Sequence, residues 1–227
     1  MNKSEIEQWL KKYKIENYTI HDNLVVDVDG DVALYGKTLK SLPFQFGTVT
    51  GDFSCSINQL TSLQYFPTTV GGSFFCYNNQ LTSLQYCPTT VGGDFSCSEN
   101  QLTSLQYCPT TVGGSFYCYN NKLTSLQYCP TTVGGFFDCS ENQLTSLQYC
   151  PTTVGGSFSC SNNQLTSLQY CPTTVGGSFY CKYNHFIVTS KNEHEWFDAI
   201  NNHKLVYSYI TEPTETLTNF YKMLWEV

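Results

Sequence analysis

The side chains of this chain that could do chemistry are twelve cysteines, four histidines and eighteen acidic residues, and their spacing decides what they can be used for. Seven cysteines close an F-x-C triplet (Cys55, Cys76, Cys97, Cys118, Cys139, Cys160, Cys181), and five precede a proline (Cys87, Cys108, Cys129, Cys150, Cys171). The first slot also holds Leu34 and the second Phe66. Positions that accept those residues are packing positions, where reduced cysteine acts as a small apolar side chain. There is no C-x-x-C pair and no histidine at ligand spacing, so zinc is not expected. His194-Glu195 opens like H-E-x-x-H, but the last position is Asp198, and the two-histidine zinc geometry fails. Asp27, Asp29 and Asp31 hint at a calcium loop without its glycine and terminal glutamate, and read instead as the polar side of an edge strand. His21, His185, His194 and His203 are scattered. With no catalytic kit, no metal site and no cofactor motif, the chain is expected not to be an enzyme.

These residues recur because a 21-residue unit recurs. F-x-C-x-x-N-x-L-T-S-L-Q-Y-C-P-T-T-V-G-G-x runs from Phe53 to Asn184 with few changes. A fixed period of this length, with apolar residues at fixed slots, signals a solenoid of stacked coils. The register extends backwards: Val32, Leu34, Leu39, Leu42, Phe44 and Val49 fall under Phe53, Cys55, Leu60, Leu63, Tyr65 and Val70. One degenerate coil (about 31–51) therefore precedes six regular ones. A last half-coil carries Phe179, Cys181 and Asn184 before His185-Phe186-Ile187 breaks the pattern.

The expected organisation is an N-terminal cap (1–30), a solenoid (31–188) and a C-terminal cap (189–227). Residues 4–15 read as an amphipathic helix using Ile6, Trp9, Leu10 and Tyr13, with Ser4 and Glu7 as its capping box. Short strands follow at Tyr18–Ile20 and Leu24–Val28. Downstream, Ser190 and Glu193 cap a helix bearing Trp196, Phe197 and Ile200, followed by a strand at Leu205–Ile210 and a helix at Pro213–Trp225. Such ends cover the open edges that a solenoid otherwise presents.

Within a coil, side chains alternate along the strand, so Phe and Cys of F-x-C point inwards together. Leu81, Leu84 and Val91 complete one coil's core. The invariant column Asn58, Asn79, Asn100, Asn121, Asn142, Asn163, Asn184 suits an amide that satisfies loop backbone groups of neighbouring coils. Cys76, Cys97, Cys118, Cys139 and Cys160 belong to the same structural set. The Gly-Gly pair is expected to supply positive φ at a turn, and proline to stiffen the opposite arc.

L-x-x-N-x-L after a strand resembles the leucine-rich repeat, with Phe and Cys in two leucine slots. N-Q-L-T-S-L-x-x-C-P-x-x-V is similar to the short subclass found in secreted bacterial effectors. It departs by one extra residue, by the Gly-Gly turn and by Gln-Tyr in place of Pro and a polar residue. The near-identical copies and the D-V-D-G-D-V lead-in at 27–32 look more like uncharacterised repeat proteins of large phages and giant viruses. The resemblance implies a capped solenoid with one parallel strand per coil, a concave strand face and protein recognition.

Between coils, the outward strand slots change while most others are constant. The slots on either side of the F-x-C cysteine, with the next position and the one before Phe, supply the candidate contact residues Phe75, Tyr77, Glu99, Tyr117, Tyr119, Phe136, Asp138, Glu141, Tyr180 and Tyr183. Tyrosine and phenylalanine offer large contact area at low entropic cost, with serine as adaptable filler. Glu99 and Glu141, two coils apart, could receive a cationic group. The expected function is a non-catalytic protein- or peptide-binding module, monomeric or weakly self-associating. The alternatives are a self-associating structural protein and, more remotely, ice binding by the threonine columns. A net charge of −7, no arginine and no basic patch speak against nucleic acid and anionic membranes. No leader or apolar span is visible in the sequence, and reduced thiols point to the cytoplasm, that of a host if the protein is viral.

Overall fold

The computed structural model describes residues 1–186. Helix α1 (Lys3–Lys12) buries Ile6 and Leu10, one turn apart, while Trp9 and Tyr13 pack beside them. Its capping box lies two residues earlier than expected: Asn2 Oδ1 accepts from Glu5 N at 3.0 Å, and Asn2 N donates to Glu5 Oε2 at 2.8 Å. Asparagine is as good a first cap as serine, and starting there moves the whole helix forward. Lys14 turns left-handed at φ 56°, and Ile15 N donates to Leu10 O at 3.0 Å. This C-terminal motif ends the helix at Lys12 rather than at residue 15. Trp9 then stands edge-on to Phe44, centroids 5.1 Å apart, so α1 covers the first coil.

Strands β1 (Tyr18–Ile20) and β2 (Val26–Val28) are antiparallel, and β2 pairs in parallel with β4 (Phe46–Val49), Val28 opposite Val49. From there the chain is a parallel β-solenoid. One ladder starts at β3 (Val32–Ala33) and continues through every Phe-x pair to Phe179–Tyr180, each residue opposite the one 21 positions on. A second ladder joins the Thr-Val pairs, running from β4 to Thr111–Val112 and again from Thr132–Val133 to Thr174–Val175. Each coil thus has two short strands, not the one that the resemblance implies. Thr69 faces out and Val70 in, and two adjacent β-branched residues with that alternation are what a half-buried strand favours.

The glycine pairs join these strands for a reason other than the expected one. Positive φ at glycine occurs only at Gly30 and Gly36 among the described residues. In the repeats the constraint is contact: a Cβ on Gly92 or Gly113 would collide with the carbonyl oxygen of Gly71 or Gly92 in the preceding coil.

Inside, rings of the Phe column follow one another at 4.9–6.1 Å from Phe53 to Phe179. The cysteines form two further columns, and none of the twelve is in a disulfide. Their thiols are donors as well as fillers: Cys76 Sγ donates to Ser96 O at 3.3 Å, and Cys150 Sγ to Tyr170 O at 2.9 Å. Burial pushes the Cys76 and Cys118 thiols well up, and those of Cys108 and Cys181 to about 12, which keeps them protonated and unreactive.

The asparagine column works as a buried bracket. Asn121 Nδ2 donates to Cys97 O, Cys118 O and Tyr119 O at 3.1–3.3 Å, and Oδ1 accepts from Leu102 N at 2.9 Å. The repeat register also outlasts Asn184. His185 N donates to Leu165 O at 2.9 Å, and Phe186 is buried in the slot of Leu165, so the pattern does not break at His185. The C-terminal cap elements expected at 190–200, 205–210 and 213–225 lie outside the described residues.

Candidate binding face

Outward side chains of the Phe ladder form two parallel columns. The first reads Ser54, Phe75, Ser96, Tyr117, Asp138, Ser159, Tyr180. The second, two residues on, reads Tyr35, Ser56, Tyr77, Ser98, Tyr119, Ser140, Ser161, Lys182. Tyr35 was missed by the sequence reading, although Leu34 in the F-x-C slot places it one residue later in register. Large residues therefore stand on alternate coils, at Phe75/Tyr77 and Tyr117/Tyr119, with serines on the coils between.

The serines are roofed by their neighbours. Residues two rungs apart have backbones about 9.6 Å apart, yet the rings of Tyr35 and Tyr77 meet at 6.4 Å, tilted by 61°. They lean together over Ser56, which is 0% exposed, as is Ser98 between Tyr77 and Tyr119. Neither Ser56 Oγ nor Ser98 Oγ has a hydrogen-bond partner.

Glu99 follows Ser98 with a left-handed backbone, φ 52°. Its carboxylate accepts from Asn78 Nδ2 at 2.9 Å and from the Tyr119 hydroxyl at 3.2 Å. Burial first, and then the Glu99 charge, push the Tyr119 phenol up to about 12. Asp138 accepts from Ser140 N at 3.0 Å, and burial raises its carboxyl above the usual range. Among the described residues the one ion pair is His21–Asp27 at 2.7 Å, so neither Glu99 nor Asp138 has a cationic partner.

The slot before Phe varies less freely than its sequence suggests. Asp31, Asp52, Ser73, Asp94 and Ser115 each accept the amide of the residue 21 positions on, for instance Ser115 N to Asp94 Oδ1 at 2.7 Å. Asp27 likewise accepts from Thr48 N at 2.6 Å and Asp29 from the Thr50 hydroxyl at 2.9 Å, so the acids of the lead-in hold the first coil. Phe136 cannot accept; its ring stands edge-on to Tyr117 at 5.8 Å. The structure thus gathers Phe75, Tyr77, Glu99, Tyr117, Tyr119, Phe136 and Asp138 on four successive coils. Glu141 is exposed beside them, while Tyr180 and Tyr183 (62% exposed) stand two coils further on.

A second outward surface lies at the Leu-Gln-Tyr-Cys turn. Cys87 N donates to Leu84 O at 2.9 Å to close it, Gln85 N donates to Ser83 Oγ at 3.1 Å, and Tyr86 sits at φ 70°. All six tyrosines of this column are left-handed, at φ 67–76°, and 41–56% exposed. Glycine or asparagine would fill that turn position at less strain. From Gln59 to Gly177 the coil segments Q-L-T-S-L-Q-Y-x-P-T-T-V-G-G contain a single charge, Lys122. Among the described residues no helix is long and apolar enough to cross a membrane. Compared with protein-family models and with curated proteins, the chain matches none.

Proposed function

We propose that the chain is a non-catalytic module that binds a protein or peptide on its strand face. The observation that carries this reading is the paired aromatic ridges, Phe75/Tyr77 and Tyr117/Tyr119, flanked by the carboxylates of Glu99 and Asp138, which among the described residues have no cation beside them. Tyrosine-rich, rigidly presented surfaces bind through area at little entropic loss, and uncompensated acids set the sign of the partner. The same acids oppose nucleic acid. Free, buried thiols suit a reducing compartment, the host cytoplasm for a viral protein.

The test uses replacements that the fold already accepts. Serine occupies the same slots in other coils, so Phe75→Ser/Tyr117→Ser retains the ladder. Capture of a partner from cell extract by the native chain and its loss in this variant, at unchanged thermal midpoint, is the expected result. Equal capture by both chains removes the strand face from consideration.

A second reading is favoured by the nearly uncharged turn surface with its six left-handed tyrosines. A face without charge meets its own copy without repulsion, and identical coil spacing matches every rung, which suits a self-associating assembly protein. Sedimentation at rising concentration separates the readings, because this one requires oligomers. Ice binding fits less well: Thr152 Oγ1 and Thr173 Oγ1 donate to carbonyls of the preceding coil at 3.2 and 3.0 Å, which turns those hydroxyls away from water.

A further inference from the structure

The strand face contains the same device twice, with one difference. Tyr35–Ser56–Tyr77 and Tyr77–Ser98–Tyr119 are both tyrosine pairs on alternate coils with a fully buried, unpartnered serine hydroxyl between them. The residue after the serine is left-handed in both, φ 53° at Ile57 and 52° at Glu99. The first device closes on itself, ring against ring. In the second the Tyr119 hydroxyl is drawn to Glu99, and Asn78 holds the other carboxylate oxygen. A glutamate, in the left-handed slot that all the coils share, is fixed from both sides next to a hydroxyl that lacks a partner. A buried hydroxyl without a partner destabilises the fold, and a donor that reached it would remove that cost.

We propose that the Tyr77–Ser98–Glu99–Tyr119 device is a receptor for the ammonium group of a lysine side chain on the partner, an inference that rests on the strand-face reading above. An ammonium has three donors and no acceptor. Glu99 offers a carboxylate, Ser98 Oγ a free acceptor, and the two tyrosine faces attract a cation. Two rungs separate the tyrosine backbones by about 9.6 Å. Subtracting a half-thickness for each ring leaves about 6 Å, room for an alkylammonium once the rings part. Tyr77 and Tyr119 are half-buried and not packed in the core, so their rings have solvent to move into. Ile57 makes the first device an internal control, since it offers no carboxylate. Glu141 makes a second control, because Ser140 has Tyr119 on one side and only Ser161 on the other.

The experiment is an NMR titration of the full chain with acetyl-Gly-Lys-Gly-amide and with the same peptide carrying norleucine for lysine. The lysine peptide is expected to shift the amides of Ser98 and Glu99 and the Tyr119 ring, and the norleucine peptide to leave them unmoved. Glu99→Gln should weaken lysine binding about tenfold or more, as loss of a hydrogen bond to a charged group does. Glu141→Gln should change it by less than about twofold, as for an exposed pair. Ile57→Glu should create a second site, seen as new shifts at Ser56. Equal binding of both peptides, an unchanged affinity in Glu99→Gln, or no lysine-dependent shift at Ser98 and Glu99 overturns the proposal. If the lysine peptide fails while Phe75→Ser/Tyr117→Ser still abolishes partner capture, the ammonium site falls and the strand face stands. If lysine binding also proves indifferent to Tyr77→Ser and partner capture to Phe75→Ser/Tyr117→Ser, both fall.

Discussion

Two columns of this solenoid hold non-glycine residues in left-handed backbone, and they behave in opposite ways. On the strand face the column reads Ile57, Asn78, Glu99, Asn120, Glu141, Asn162, Tyr183 at φ 51–57°. At the turn it is tyrosine six times, at φ 67–76°. The backbone demand is the same, and glycine or asparagine meets it best in both places. Asparagine appears three times in the first column and never in the second. Backbone geometry therefore does not set residue choice in either: the first follows the identity of its own coil, and the second holds one residue against its local cost.

The comparison can be sharpened from the inside outwards. Gly113→Ala should have the largest effect, about 4 kcal/mol or more, because its Cβ has no space against the Gly92 carbonyl; chemical denaturation would show it as loss of the folded baseline. Next come the adjacent asparagines. Asn121→Ala leaves the Leu102 amide without its acceptor and three carbonyls without their donor, and should cost about 3 kcal/mol. Asn120→Ala should cost only about 1 kcal/mol, the left-handed penalty, and Asn120→Gly close to nothing. If the two alanine variants unfold alike, the division between bracket and backbone residues is wrong.

Tyr128→Gly is the point at which the comparison can break. Relief of φ 76° should hold the stability of the isolated chain or raise it by up to about 1 kcal/mol. A clear loss would mean that the turn tyrosines are kept for packing within the chain, and the self-association reading would lose its support.

The smallest effect concerns Asp138, whose carboxyl is raised by burial although its bonds to Ser140 and Ser159 oppose the shift. A raised folded value means that the native state binds more protons, so stability falls as pH rises from the unfolded value through the folded one. The native chain should gain stability relative to Asp138→Asn as pH is lowered through that window. Asp27 has the opposite sign: its bonds from Thr48 and His21 lower its value, and its contribution is lost as pH falls.

Much of the fold was legible because each coil states the same requirements again. The inward Phe, Cys, Leu and Val slots, the asparagine bracket and the backward register to Val32 follow from period and alternation alone. The second strand was not legible, because two residues are too short for a period and Thr-Thr-Val reads equally well as an arc. The role of Gly-Gly was misread for a related reason. Positive φ is a property of one residue, whereas the constraint here comes from a carbonyl 21 positions away. On the strand face the variable residues were visible, but not that Ser56 and Ser98 lie under tyrosines. That depends on rings leaning across a rung, and on Tyr35, which precedes the regular copies.

Hydroxyl-radical footprinting of the tyrosines, with and without the captured partner, tests the strand face most directly. Tyr77, Tyr117 and Tyr119 should lose reactivity in the complex, while Tyr107 and Tyr128 keep theirs. Protection of Tyr107 and Tyr128 with Tyr77, Tyr117 and Tyr119 unchanged would place the contact on the turn surface and contradict the assignment.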